Sequence, residues 1–151
     1  MRTTRVPEVI DRLVELLTQR TDPEATQVLD GPTVSGNYKD LVFLIGYRPD
    51  QQQDVTVTRT APNGLTHHDR EVFEIGVLIN AVDGTGNVKS ARDKAAAGLA
   101  ILEGILTEKD MGLGLGSDVQ VRLSDQTWRS IPTTKGVEQT VACVVVGQAA
   151  L

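Results

Sequence analysis

Apolar and polar positions alternate most regularly in the segment 70–109, and the rest of the chain is read outward from it. Its first part is REVFEIGVLINAV, where Phe73, Ile75, Val77, Ile79 and Ala81 fall on one face at period two. Val72, Glu74, Gly76, Leu78 and Asn80 form the other, mixed face, and the spacing predicts a strand. Its last part is VKSARDKAAAGLAILEGILTEK, where Ala91, Ala95, Leu99, Leu102 and Leu106 recur at helical spacing. Ile105 widens that stripe, while Arg92, Asp93, Glu103 and Lys109 lie off it. Between them Asp83-Gly84-Thr85-Gly86-Asn87 supplies glycines for unusual backbone angles and Thr or Asn to cap free helix N–H groups. A strand with one apolar face followed at once by an amphipathic helix is half of a two-layer α/β sandwich.

The remaining segments add to that unit. Val6, Ile10, Leu13 and Leu17 share a face and predict a helix over Val6–Arg20, with Pro7 in its first turn and Thr21-Asp22-Pro23 ending it. A short strand is expected over 25–30, closed by Gly31-Pro32. Leu41, Val42, Phe43, Leu44 and Ile45 are apolar on both faces, so 40–47 reads as a central strand. Arg48-Pro49-Asp50 breaks it and Gln51-Gln52-Gln53 continues as a polar loop. The stretch 54–60, DVTVTRT, alternates as a half-exposed strand, and 61–69 is a loop with a turn at Pro62-Asn63-Gly64. A glycine-alternating linker is expected over 110–116, a strand over 118–123, a longer connection carrying the only tryptophan, Trp128, over 124–136, and a final strand over 137–146 before a short tail. At 151 residues, with no repeat and no long linker, the chain reads as one domain over 1–151 of α+β class.

Composition narrows the function classes. The hydrophobic fraction is 40% but aromatics are only 3%, so the core is built from Val, Leu, Ile and Ala. That composition argues against a base-stacking platform, which needs exposed aromatics. The formal net charge is −5 with a pI near 5.0, and no cluster of Lys and Arg marks a duplex-binding patch. The one cysteine, Cys143, sits in VACVVVG and reads as a buried small hydrophobe rather than a reactive thiol. The first residues, MRTTRVPEVID, have no apolar core of the signal-peptide kind, and no window suits a membrane span. A cytoplasm-like compartment is the expectation.

Candidate chemistry is sparse. Gly84-Thr85-Gly86 lies where a phosphate-binding turn would, but Lys89 stands where a dinucleotide fingerprint wants a third Gly or Ala, and no Gly-Lys-Ser/Thr follows. A turn and helix cap is the plainer reading. His67-His68-Asp69 has no neighbouring Cys or Glu to complete a ligand set. The carboxylates Asp50 with Asp54, and Glu71 with Glu74, have no partner motif, and Asp11 and Glu15 read as a solvated helix face. No catalytic, cofactor-binding or metal-binding residue is expected, and the chain is not expected to be an enzyme. Three features suit assembly instead: the DVTVTRT edge, the polar loops over 48–54 and 61–70, and Leu113 and Leu115 in a glycine-rich linker. The candidate subunit or partner contacts are therefore Arg48, Asp50, Gln52, Asp54, His67, His68, Asp69, Arg70, Leu113 and Leu115. For the leucines, folding back onto the core is the open alternative.

The order and texture of these elements resemble the tail terminator proteins of long-tailed bacteriophages, also called minor tail or head-to-tail joining proteins. The resemblance rests on the RVPEVIDRLVELL helix, the Asp30-Gly31-Pro32 break and the LVFLIGY strand ending at Arg48-Pro49-Asp50. It continues through EVFEIGVLINAVDGTG, the Ala-rich helix KSARDKAAAGLAILEGIL, and the closing pair DVQVRLSDQTW and GVEQTVACVVVG. It implies a mixed, mostly antiparallel sheet packed against two helices. It also implies a homo-oligomeric ring of six that caps the last ring of the tail tube protein and faces the head connector or stopper protein. DNA would pass through the lumen without specific binding, and the protein would be a virion component of the tail and neck, assembled in the host cytoplasm. No cofactor and no membrane is implied. A neck or head-completion protein of the same particle is the nearest alternative. A small nucleotide-binding α/β domain using the Gly84-to-Asn87 turn is the alternative of another class.

Overall fold

A computed structural model describes residues 3–32, 39–49, 51–60, 69–134 and 136–151. In chain order the elements are α1 (Val6–Arg20), β1 (Thr26–Asp30), β2 (Leu41–Ile45), β3 (Val55–Thr60), β4 (Arg70–Asp83), α2 (Val88–Thr107), a single short turn Lys109–Met111, β5 (Val119–Thr133) and β6 (Gly136–Ala150). The six strands form one mixed sheet in the order β1-β2-β4-β6-β5, with β3 also on β4. Only the β1–β2 pair is parallel. α1 lies over β1 and β2, and α2 over β4, β6 and β5, so both helices sit on one face of the sheet. This is the α+β two-layer sandwich that the pattern predicts.

β4 is the axis of the sheet. One edge pairs with β6 along its whole length, from Arg70↔Ala150 to Asp83↔Val137. The other edge is divided: Arg70 to Ile75 pair with β3, and Val77 to Ala81 with β2. The changeover falls on Gly76. Its carbonyl accepts from Gly46 N–H at 2.7 Å and Tyr47 N–H at 3.0 Å, and its own N–H donates to the Asp54 carbonyl at 2.9 Å. A Cβ at this position would stand 1.8 Å from Arg48 Cγ and 2.7 Å from the Tyr47 carbonyl oxygen, so only glycine fits.

The helix side of the sheet is the core. Phe73, Ile75, Val77, Ile79 and Ala81 of β4 are fully buried there, with Phe43 and Ile45 of β2 and Val141, Cys143 and Val145 of β6. Val9, Leu13 and Leu17 cover them from α1, and Ala95, Leu102, Ile105 and Leu106 from α2, the stripes that helical spacing selects. Asn87 caps α2, its Oδ1 accepting from Ser90 N–H at 3.2 Å. α1 has no side-chain cap of its own. Instead the fully buried Glu71 carboxylate of β4 accepts the Arg5 N–H at the helix N-terminus, where negative charge is favoured.

Two expectations give way. The stretch 124–136 is not a connection: β5 runs on to Thr133 and pairs with β6 to Thr133↔Gly136. Alternation fails there because a bulge inserts an extra residue between Leu123 and Gln126, and because this half of β5 is mostly exposed, so its composition is polar. The final strand also outlasts 146, reaching Ala150. Gly147 interrupts its apolar run because the Phe73 ring lies over it; a Cβ would be 2.4 Å from Phe73 Cζ.

Replacing Gly76 with alanine is expected to destabilise the fold by about 2–3 kcal/mol, as overpacking does. The check is the midpoint of urea unfolding, and an unchanged midpoint would show that β4 does not depend on the changeover.

Candidate interaction surfaces

The loop after β2 is closed at its base by its own residues. Arg48 N–H donates to Asp54 Oδ1 at 2.9 Å, Gln51 N–H donates to the Arg48 carbonyl at 3.2 Å, and the Arg48 guanidinium reaches Glu74 at 3.3 Å. Arg48 and Asp54 thus fold the loop back over the sheet face opposite the helices, while Gln52 stays exposed. A cavity of about 200 Å³ lies there between Tyr47, Arg48 and Gln51 on one side and Asp125 and Thr127 on the other. Asp69 accepts from Leu151 N–H through its carbonyl at 2.9 Å and lies 4.0 Å from Arg59. Arg70 opens β4 opposite Thr60 and Ala150. Asp50, His67 and His68 lie outside the described residues.

Leu113 and Leu115 fold back. Leu113 is buried in the core and Leu115 packs against it. The segment that carries them is not a passive linker. Lys109, Asp110, Met111 and Leu113 all have left-handed backbones, with φ of 52°, 57°, 63° and 57°. Such angles cost non-glycine residues on the order of 1–2 kcal/mol each. Arg5, just ahead of α1, and Arg12 and Arg20 on it hold the segment down. Arg20 forms a two-pronged ion pair with Glu108. Arg12 Nε donates to the Leu113 carbonyl at 3.1 Å. Arg5 reaches the Leu115 carbonyl at 3.3 Å and Asp118 at 3.1 Å, and Glu8 at 2.7 Å. Glu8 first, and then Asp118, raise the affinity of the Arg5 guanidinium for its proton. Sequence reasoning missed these arginines; their spacing along one side of α1 was the available signal.

The Gly84-to-Asn87 turn is filled from within. Asp83 Oδ1 accepts from Thr85 N–H at 2.8 Å and from the Thr85 hydroxyl at 2.7 Å, occupying donors that a phosphate would need. Thr85, and after it Ser90, hold the Asp83 carboxyl below the usual carboxylate range. At the start of α2, Lys89 is paired with Asp93 at 2.7 Å.

Opposite the helices the sheet carries Val72, Leu78, Val144 and Val146 on a face that neither helix covers. A groove of about 460 Å³ lies there, lined by Val72, Glu74, Met111, Arg122, Val146 and Gln148 among others. Val72 and Met111 are 46% and 41% exposed and place apolar surface together in this groove. Cys143 points the other way. Its thiol donates to the Val77 carbonyl at 3.4 Å, and burial pushes its pKa up to about 12. Among the described residues no group of His, Cys, Asp and Glu could hold a metal ion, and no helix is long and apolar enough to cross a membrane. No protein-family model matches the chain, and neither does any curated protein.

Two outcomes follow from this geometry. Lys109→Gly and Asp110→Gly should each raise stability by roughly 0.5–1 kcal/mol, net of the freedom glycine gives the unfolded chain. That is about 1–4 °C in Tm by calorimetry, and a fall in both would mean the turn is unstrained. The depressed Asp83 carboxyl contributes stability that is present above its unfolded titration and lost as pH falls through its folded one. Asp83→Asn should therefore cost Tm near neutral pH and little in strong acid; equal costs at both would remove the carboxylate's role.

Proposed function

We propose that this chain is a structural, non-enzymatic ring subunit of the tail-terminator kind, capping the head-proximal end of a phage tail tube and joining it to the head connector. The observation that carries the reading is the one-sided layering. Both helices lie on one face of the sheet, and among the described residues the other face, with its valines and its groove, has no helical cover. A chain built this way offers a broad, partly apolar surface to neighbours, and repetition around a ring would sum weak contacts into a stable cap. The two-layer fold with a mixed sheet also agrees with what the resemblance implies. The net charge of −5 suits a lumen that lets DNA pass without gripping it. The nucleotide-binding alternative loses support because Asp83 already takes the donors of the turn.

The test is tube assembly. Tail tube protein polymerising in the presence of this chain should give tubes that stop growing, with six copies at one end by native mass. Tubes that lengthen as if the chain were absent would overturn the proposal.

A further inference from the structure

Among the described residues β5 hydrogen-bonds to β6 on one side and to no strand on the other. An edge of this length recruits another strand unless something closes it. Its start is closed. Ala150 N–H donates to the Asp118 carbonyl at 3.0 Å, so Asp118 turns its backbone towards β6. Val119, one residue on, turns its backbone to the free side. There its N–H meets the Gly116 carbonyl at 3.4 Å, and its carbonyl meets Gly112, where a Cβ would stand 2.7 Å away. The covering segment is the one with the left-handed backbone, held by Arg5, Arg12 and Arg20. The segment is anchored in the core by Leu113 and otherwise by these side-chain contacts, and with its strained backbone it opens more readily than the sheet it covers.

From its covered start onward, the edge carries Asp118, Arg122, Asp125 and Arg129. Read backwards, the same spacing returns with every sign inverted. Two β5 strands set antiparallel about a two-fold axis between Leu123 and Ser124 therefore place Asp118 opposite Arg129 and Arg122 opposite Asp125, each twice. In an unbroken strand this register would set one face against the other. The bulge corrects it. Val119 and Val121 lie on the helix side before the bulge, and Gln126 and Trp128 lie on it after, opposite Ala149, Gly147, Cys143 and Val141 of β6. The register then pairs Val119 with Trp128, Val121 with Gln126 and Gln120 with Thr127, like face with like. Among the described residues the side chains of Arg122, Asp125 and Arg129 have no hydrogen-bonding or ionic partner, and the ionic partner of Asp118 is Arg5, which belongs to the fastening.

We infer that residues 108–118 are an autoinhibitory strap, and that its release lets the β5 edge pair antiparallel with the β5 edge of a second copy. Opening frees both the backbone of Val119 and the carboxylate of Asp118 for the same neighbour. The pairing is two-fold, so it is separable by mass from a head-to-tail ring of six, and either can fail without the other.

The experiment is sedimentation of the full chain. Arg12→Met with Arg20→Met should produce a two-copy species at concentrations where the unaltered chain shows none. Adding Arg122→Asp should abolish it, and adding Asp125→Arg to that should restore it. A loosened variant that keeps a native circular dichroism spectrum but stays single overturns the inference, as does pairing indifferent to Arg122→Asp. Hydrogen exchange of the unaltered chain is the check that needs no substitution. Amides of residues 113–118 should exchange about a hundredfold or more faster than those of 141–145, through local opening. Asp110→Gly, which relieves the backbone and touches no fastening, should slow that exchange. Equal rates in the two segments overturn the strap.

Discussion

The sheet depends on one strand serving two partners along a single edge. β4 is long enough to run the height of the domain, but the two strands on the edge away from β6 are short, so β2 and β3 share that edge end to end. Sharing requires the chain to leave one pairing and enter the other within a residue, with every backbone polar group still satisfied. Gly76 meets that requirement by accepting two hydrogen bonds and donating one where no side chain has room. The loop over 48–54, the start of β3 and the position of Arg48 are all set by this junction. The core follows from it, because the alternation of β4 is what aims Phe73 to Ala81 at the helices.

Much of this was legible in the sequence because burial enforces period. Both helices have stripes that must face the sheet, and β4 has a face that must face the helices, so the pattern and the packing are one constraint seen twice. Legibility failed where burial is absent. The outer half of β5 is bonded into the sheet mainly by its backbone, and most of its side chains record solvent rather than a core. Glycine was misleading at 110–116 for a related reason. Gly112, Gly114 and Gly116 suggested slackness, yet two of them carry the positive φ that a tight reversal needs, and Gly112 allows close approach to Val119. Of the candidate contact residues, Arg48, Asp54 and Leu113 have structural duties inside the chain. A loop composition cannot distinguish a residue that waits for a partner from one that ties its own loop.

The distribution of arginine is the least local feature of the molecule. Arg5, just ahead of α1, and Arg12 and Arg20 on it act on a segment roughly a hundred residues later, at separations of 110, 101 and 88. Their contacts are partly to backbone carbonyls, which any residue would supply. Beyond the spacing of the arginines themselves, no pairwise charge pattern in the sequence announces such contacts. They join the first helix to the far end of the second and so fasten the two-layer sandwich along one side.

Cys143 has a practical consequence. Buried against β4, and with a proton it gives up only near pH 12, the one native thiol is silent towards reagents that attack thiolates. A cysteine introduced at any exposed position would be the sole reactive thiol on the folded chain. The protein is thus already a single-label scaffold: a fluorophore or spin probe can be placed at will without first removing a native thiol and disturbing the core.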